Sequence, residues 1–178
     1  MNINFIFPLI YSITLFFLIL IISIYVFIQI RNTQNLEKRL VILEKRIQSN
    51  NFNYDDFYKL GQLYLRKKIY KKAIALFRKS LENWDINDKI GLGSLYNTLG
   101  FTYFNLKQYE YAAYYYNEAL KLLPDYTLAL TNLGLAYEKV QKYEDALTTY
   151  KKVLRYTTSN KITNSRLTLL ERKLELRS

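Results

Sequence analysis

Catalysis by side chains starts from nucleophiles, bases and metal ligands, and this 178-residue chain is poor in all three. It contains no cysteine and no histidine. Those absences remove the thiolate nucleophile, disulfide frameworks, the usual general base and the commonest metal ligand. Serines and carboxylates remain, but no nucleophile elbow and no acid–base pair stands out. The pair Gly91-Leu-Gly93 lacks the third glycine of a dinucleotide fingerprint and reads as loop chemistry opening a repeat. No catalytic, cofactor-binding or metal-binding residue is assigned, and a hydrolase is disfavoured. The chemistry to expect is recognition.

Two groups of residues could serve recognition. Arg66, Lys67, Lys68, Lys71 and Lys72 form a basic cluster. The net charge is +11, and every Lys, Arg, Asp and Glu lies at or beyond Arg31. A basic cluster usually raises nucleic acid. Behind an apolar leading segment it fits anionic lipid head groups or an acidic protein surface instead, and a solvated turn equally well. The second group, Tyr111, Tyr114, Tyr115 and Tyr116, is read as packing together with codon bias. Ile, Asn, Lys, Tyr and Phe are abundant beside only 5 Gly and 2 Pro, the composition that an A+T-rich genome such as a plastid's or an endosymbiont's produces.

The elements that position these residues begin with an anchor. Phe5 to Ile30 carries no charge, and as a helix it spans about 39 Å against a hydrocarbon core of about 30 Å. The uncharged start, the length of the run and the lack of a small-residue cleavage site favour a permanent transmembrane helix over 1–30, not a cleaved signal. Arg31, Lys38, Arg39, Lys45 and Arg46 follow the span, so the positive-inside rule puts the C-terminal part on the cytoplasmic or stromal side. Residues 31–52 form a basic amphipathic stalk in which Leu36, Leu40, Leu43 and Ile47 alternate by four and three. That stripe serves packing on the domain behind it, the lipid surface or self-association. Asn50, Asn51 and Asn53 mark a hinge.

Three windows repeat one pattern between residues 53 and 160. The first holds Gly61, Tyr64, Ala73 and Phe77; the second Gly100, Tyr103, Ala112, Tyr116 and Pro124; the third Gly134, Tyr137, Ala146 and Tyr150. Gly100 and Gly134 are 34 residues apart, whereas Gly61 and Gly100 are 39 apart, so the connection around Asp85–Leu92 is expected to carry about five extra residues. Gly and Ala let two helices approach closely, while the rings fill the space between helices and between repeats. Pro124 ends its helix; Asp85 and Thr158 replace it in the other windows, which predicts less sharp repeat ends there. Residues 161–178 read as a further helix, with Leu167, Leu170 and Leu174 covering the last repeat. Ile162, Leu169 and Leu176 fall on the opposite face, as a second contact or as incidental leucines of a frayed helix.

With these residues and spacings, the region resembles the tetratricopeptide-repeat (TPR) family, a stack of helical hairpins with a period of about 34 residues. The fold class implied is all-α: an N-terminal transmembrane helix plus a three-repeat solenoid (54–87, 93–126 and 127–160) with a C-terminal capping helix. The resemblance also implies a concave groove that holds a protein partner. Its positions carry over onto Tyr58, Gln62, Leu65 and Arg66; Asn97, Phe101, Phe104 and Asn105; and Asn132, Leu135, Glu138 and Lys139. The basic clamp with which some relatives grip chaperone C-termini is not matched. Phe101 and Phe104 serve either the groove or the packing between repeats.

The layout as a whole resembles the membrane-anchored TPR proteins of algal plastids and cyanobacteria linked to photosystem I assembly. That resemblance implies a non-catalytic scaffold without a cofactor, in the plastid thylakoid membrane or a bacterial inner membrane. Its domain would face the stroma or cytoplasm, with photosystem I subunits or assembly factors as partners and no nucleic acid. The rival reading is a TPR receptor for targeting peptides in a mitochondrial or bacterial membrane machine.

Overall fold

The computed structural model describes residues 3–157 and 161–176, which form eight helices and no strand. The chain divides into two compact units, Met1–Arg46 and Ile47–Ser178.

The first unit is carried by α1 (Ile3–Gln48). Its helix does not stop where the apolar segment ends at Ile30. Arg31–Gln48 contains neither Gly nor Pro and is rich in good helix formers, so nothing in the polar stretch breaks the backbone ladder. The apolar segment and the polar stretch that follows it are therefore one continuous element. From Ile10 the helix is long and apolar enough to cross a membrane, and its large side chains between Ile10 and Ile30 are exposed. The hydroxyls of Thr14 and Thr33 donate to the carbonyls of Tyr11 and Gln29 at 2.9 Å each, which satisfies them within the helix. Leu36, Leu40, Leu43 and Ile47 share one side of its final turns by helical geometry. Asn50, with φ of 59°, ends the run in the left-handed region that Asn tolerates better than most residues. Asn53 then caps the next helix, its backbone N–H donating to Asp56 Oδ2 at 3.1 Å.

In the second unit, α2 (Tyr54–Arg66) pairs with α3 (Tyr70–Asn83), α4 (Lys89–Asn105) with α5 (Tyr109–Leu122), and α6 (Thr127–Lys139) with α7 (Tyr143–Tyr156). Contacts of α3 with α4 and α5 with α6 stack the hairpins, and α8 (Lys161–Glu175) packs on α7. The three glycines explain the pairing. A Cβ on Gly61, Gly100 or Gly134 would lie 2.4–2.6 Å from the ring of Phe77, Tyr116 or Tyr150 respectively. Each ring is at most 1% exposed, and Ala73, Ala112 and Ala146 are fully buried. The ring occupies the space that a side chain on the facing helix would take. Burying each such ring stabilises the stack by about 1.5–3 kcal/mol.

Each hairpin turns on one residue in the left-handed region: Lys68, Lys107 and Gln141, with φ near 60°. None is glycine, so each carries a small backbone cost.

Three expectations need correction. Of the five additional residues before the second repeat, one lengthens the connection, which runs 84–88 against 123–126 before the third; the other four extend α4, which has 17 residues where α2 and α6 have 13. Gly91 and Gly93 accordingly lie inside α4, not in a loop. Asp88 caps this added turn, accepting from the Gly91 N–H at 2.8 Å and from Trp84 Nε1 at 3.1 Å. Gly93 admits Leu123, whose Cδ1 would stand 2.5 Å from an added Cβ. Finally, the missing prolines do not blur the repeat ends that can be followed. Like α5, α3 and α7 have 14 residues, and Trp84 and Thr157 stop them in extended conformations. Thr158 itself lies outside the described residues.

The last hairpin is closed by the expected leucines. Leu170 is 3% exposed and joins Tyr143, Ala146 and Tyr150, with Leu167 and Leu174 packed around them. Lys173 Nζ donates to Tyr143 Oη at 2.9 Å while lying over its ring. On the other face Leu169 and Leu176 are exposed; the side chain of Ile162 is outside the described set.

Candidate partner-binding groove

The first helices of the three hairpins leave a depression of about 590 Å³ between them, within the range of specific ligand sites. It is lined by Gln62, Leu65 and Arg66 of α2, Asn97, Thr98 and Phe101 of α4, and Leu128 and Asn132 of α6. Helical spacing makes this possible, since residues three and four apart share a face and stacked hairpins turn that face the same way.

Amides run along its floor. Asn132 Nδ2 donates to Asn97 Oδ1 at 3.2 Å, and Asn97 Nδ2 faces Tyr126 Oη at 3.5 Å. The hydroxyls of Tyr58 and Thr98 lie 3.4 Å apart, linking the first repeat to the second. Asn97 is buried and nevertheless partnered, as a buried amide must be. Burial, and next the nearby Tyr58, push the Tyr126 hydroxyl above its ordinary range; hydrogen bonds with Ser94 and Asn97 act the other way. Tyr126 is therefore neutral at physiological pH and acts as a fixed hydrogen-bonding group.

Six of the twelve expected groove positions meet here: Gln62, Leu65, Arg66, Asn97, Phe101 and Asn132. Tyr58 supports them through Thr98. The two phenylalanines divide. Phe101 is 45% exposed and lines the groove, whereas Phe104 packs among Ala112, Tyr116 and Leu133 and meets the Tyr109 ring edge-on. Asn105, Leu135, Glu138 and Lys139 do not line this depression. Asn105 turns its amide back onto the Phe101 carbonyl at 2.8 Å. Glu138 is engaged within the fold: Tyr150 donates to one carboxylate oxygen at 2.6 Å, and Arg166 of α8 approaches the other at 3.4 Å. Sequence reasoning missed Thr98 and Leu128. Both lie one helical turn from residues it named, and that spacing was the signal available.

Half of the tyrosine run is packing. Tyr116 is core, and Tyr115 stacks on Tyr103 at 5.2 Å between ring centres, nearly parallel. Tyr111 and Tyr114 remain exposed.

Chemically, the groove offers amides that can pair with the backbone of an extended segment. It also offers apolar surface from Leu65, Phe101 and Leu128, and one guanidinium. No carboxylate lines it, so it suits a neutral or acidic guest.

Comparison with known proteins agrees with this architecture. A tetratricopeptide-repeat family profile matches residues 57–125, and a second of the same description matches 128–160. The protein ycf37 of Guillardia theta is 37% identical over 171 residues, which is 96% of each chain. The "Tetratricopeptide repeat domain-containing protein PYG7, chloroplastic" of Arabidopsis thaliana is 29% identical over 171 residues, 93% of this chain but 56% of that protein. Among solved structures, the first TPR of Spaghetti (RPAP3) bound to an HSP90 peptide superposes with a TM-score of 0.62 at 25% identity, covering 69% of this chain and 94% of that one. The nested hairpins, the glycine–ring contacts and these matches lead to one conclusion: the chain belongs to the tetratricopeptide-repeat family, in its ycf37 group.

Proposed function

We propose that this protein is a membrane-anchored scaffold in the plastid that assists the assembly or stability of photosystem I by holding subunits or assembly factors in its groove. The observation that carries the binding role is the depression lined by Gln62, Leu65, Arg66, Asn97, Phe101 and Asn132. Its amide floor and apolar walls match an extended protein segment. The anchor rests on the apolar, exposed helix from Ile10 onward, and the stromal orientation on the basic residues that follow Ile30. The plastid setting rests on the ycf37 and chloroplastic PYG7 relatives. Assembly, not turnover, is the role that a chain without histidine or cysteine fits best.

Affinity purification from detergent-solubilised thylakoids tests this reading. The expected result is recovery of photosystem I subunits and assembly intermediates, lost on Phe101→Glu, which places a charge on the exposed groove wall without touching the core. Recovery of preproteins or a translocase in their place would overturn the photosystem assignment. Undiminished capture by the Phe101→Glu variant would overturn the groove.

A further inference from the structure

The added turn of α4 belongs to the second repeat alone, and the fold leaves its isoleucines out. With Gly61, Gly100 and Gly134 in register, Ile90 corresponds to Asn51 and Pro124, which precede α2 and α6. The turn is nevertheless held in place. Asp88 accepts from the Gly91 N–H and from Trp84 Nε1, and Gly91 has no Cβ to strike the Asp88 carboxylate or the Trp84 ring. None of those contacts uses an isoleucine: Ile86 and Ile90 are 80% and 75% exposed. An isoleucine left in water gains little from burial, and it forms helix less readily than alanine or lysine. Helix formation therefore does not account for Ile90.

Its angular position does. Asn97 and Phe101 follow Ile90 by seven and eleven residues, close to two and three full turns, so the three fall within a strip about 40° wide along α4. Asn97 and Phe101 line the groove. Ile90 carries the same face past the groove's rim. In the third repeat the rim is marked by Leu128, exposed and groove-lining, which is in register with Ser94. Ile90 stands one turn farther out, about 6 Å along the helix. The wall that α4 gives the groove thus continues into an apolar step that α2 and α6 are too short to form.

We infer that the protein segment held in the groove runs on past this rim and packs an apolar side chain against Ile90. The guest is then an extended segment with two apolar contacts, one at Phe101 and Leu128 and the other at Ile90. Ile90 and Phe101 are about 16 Å apart along α4, a distance that an extended chain covers in about five residues. This second contact rests on the groove of the proposed function and narrows the class of segment that fits it.

The chain has no cysteine, so Phe101→Cys, Ile90→Cys and, as a control, Thr148→Cys at an exposed position of α7 each provide one site for a benzophenone crosslinker in the full-length protein. Each labelled protein is irradiated with detergent-solubilised thylakoid membranes, and the crosslinked residues are mapped by mass spectrometry. Positions 101 and 90 should capture the same polypeptide at residues about five apart, and position 148 should not capture it. Unlabelled Ile90→Ser protein, with its circular dichroism unchanged, should need about tenfold more than the unsubstituted chain to suppress the crosslink at 101. Crosslinking at 101 but not at 90, capture of a different polypeptide at 90, or equal competition by Ile90→Ser would overturn the second contact and leave the groove standing. No crosslink at 101 would overturn the groove itself, and the second contact with it, whatever position 90 captures.

Discussion

Replacing Gly100 with Ala should destabilise the repeat stack even though alanine is the better helix former. In an open helix the substitution would gain about 1 kcal/mol. Here the new Cβ would stand 2.6 Å from two ring carbons of Tyr116 and 3.1 Å from the backbone oxygen of Ala112. Comfortable carbon contact begins at about 3.5 Å, so the overlap is about 1 Å. The ring cannot swing aside. Tyr116 is 1% exposed and packed among Ala112, Ala113, Leu133 and Ala136, and the Ala112 carbonyl belongs to the facing helix itself. Overpacking costs about 1–3 kcal/mol, and with a locked ring and a backbone oxygen both in the way the upper part of that range applies, about 2–3 kcal/mol, which leaves a net loss of about 1–2 kcal/mol after the propensity gain. For a unit of this size that lowers Tm by about 2–4 °C per kcal/mol. Thermal or urea unfolding of the detergent-solubilised chain, followed by far-ultraviolet circular dichroism, reads it. A cycle with Tyr116→Leu isolates the cause, because shrinking the ring should abolish or reverse the cost of Gly100→Ala. Gly61→Ala should cost less, since the three atoms nearest its added Cβ all belong to the Phe77 ring, whereas at Gly100 a backbone oxygen is among them. Gly100→Ala leaving stability unchanged or higher would refute the claim that glycine is needed for close helix approach.

Other consequences follow from single contacts. Tyr150→Phe removes a hydrogen bond to the Glu138 carboxylate and should cost about 1.5–3 kcal/mol at neutral pH. The same variant should change the alkaline limb. Burial, and next Glu138, raise the Tyr150 hydroxyl above its ordinary value of 10.0. The folded state thus holds this proton longer than the unfolded chain, and stability is intact below about pH 10 and falls as pH rises further; a denaturation series across that range should show a shallower decline in the variant. Lys107→Gly relieves a side chain from the left-handed region and should raise stability by about 0.5–1 kcal/mol in the same unfolding assay. Leu170→Ala should cost about 2–5 kcal/mol and loosen the third repeat first in hydrogen exchange. Leu169→Glu on the exposed face of α8, with Leu176→Glu just past its end, should leave unfolding unchanged, and a reduced complex size by light scattering would reveal a contact there.

The correspondence between spacing and fold was close wherever the relevant interactions were local. Gly61, Gly100 and Gly134 stand a fixed distance before Phe77, Tyr116 and Tyr150, and both members of each pair lie within one hairpin. Short-range geometry therefore carries the pairing. The capping leucines of α8 were legible for the same reason, since a stripe at helical spacing needs only one surface to cover. The groove was half legible. Gln62, Asn97 and Asn132 could be placed by register, but a residue's part in a concave surface depends on its neighbours from two other hairpins. Phe101 and Phe104 illustrate the limit: three positions apart on one helix, one faces the groove and the other the next repeat.

By itself the sequence determined the all-helical class, the repeat period, the apolar leading segment and the poverty in catalytic groups, because these follow from residue types and their spacing along one chain. Only the tertiary structure decided that the longer second repeat is an added turn of α4 capped by Asp88, that Thr98 and Leu128 complete the groove, and that Glu138 is held by Tyr150 and Arg166. Each of those outcomes depends on where a separate helix lies in space, and helix crossing and register emerge from the packing of all the hairpins together.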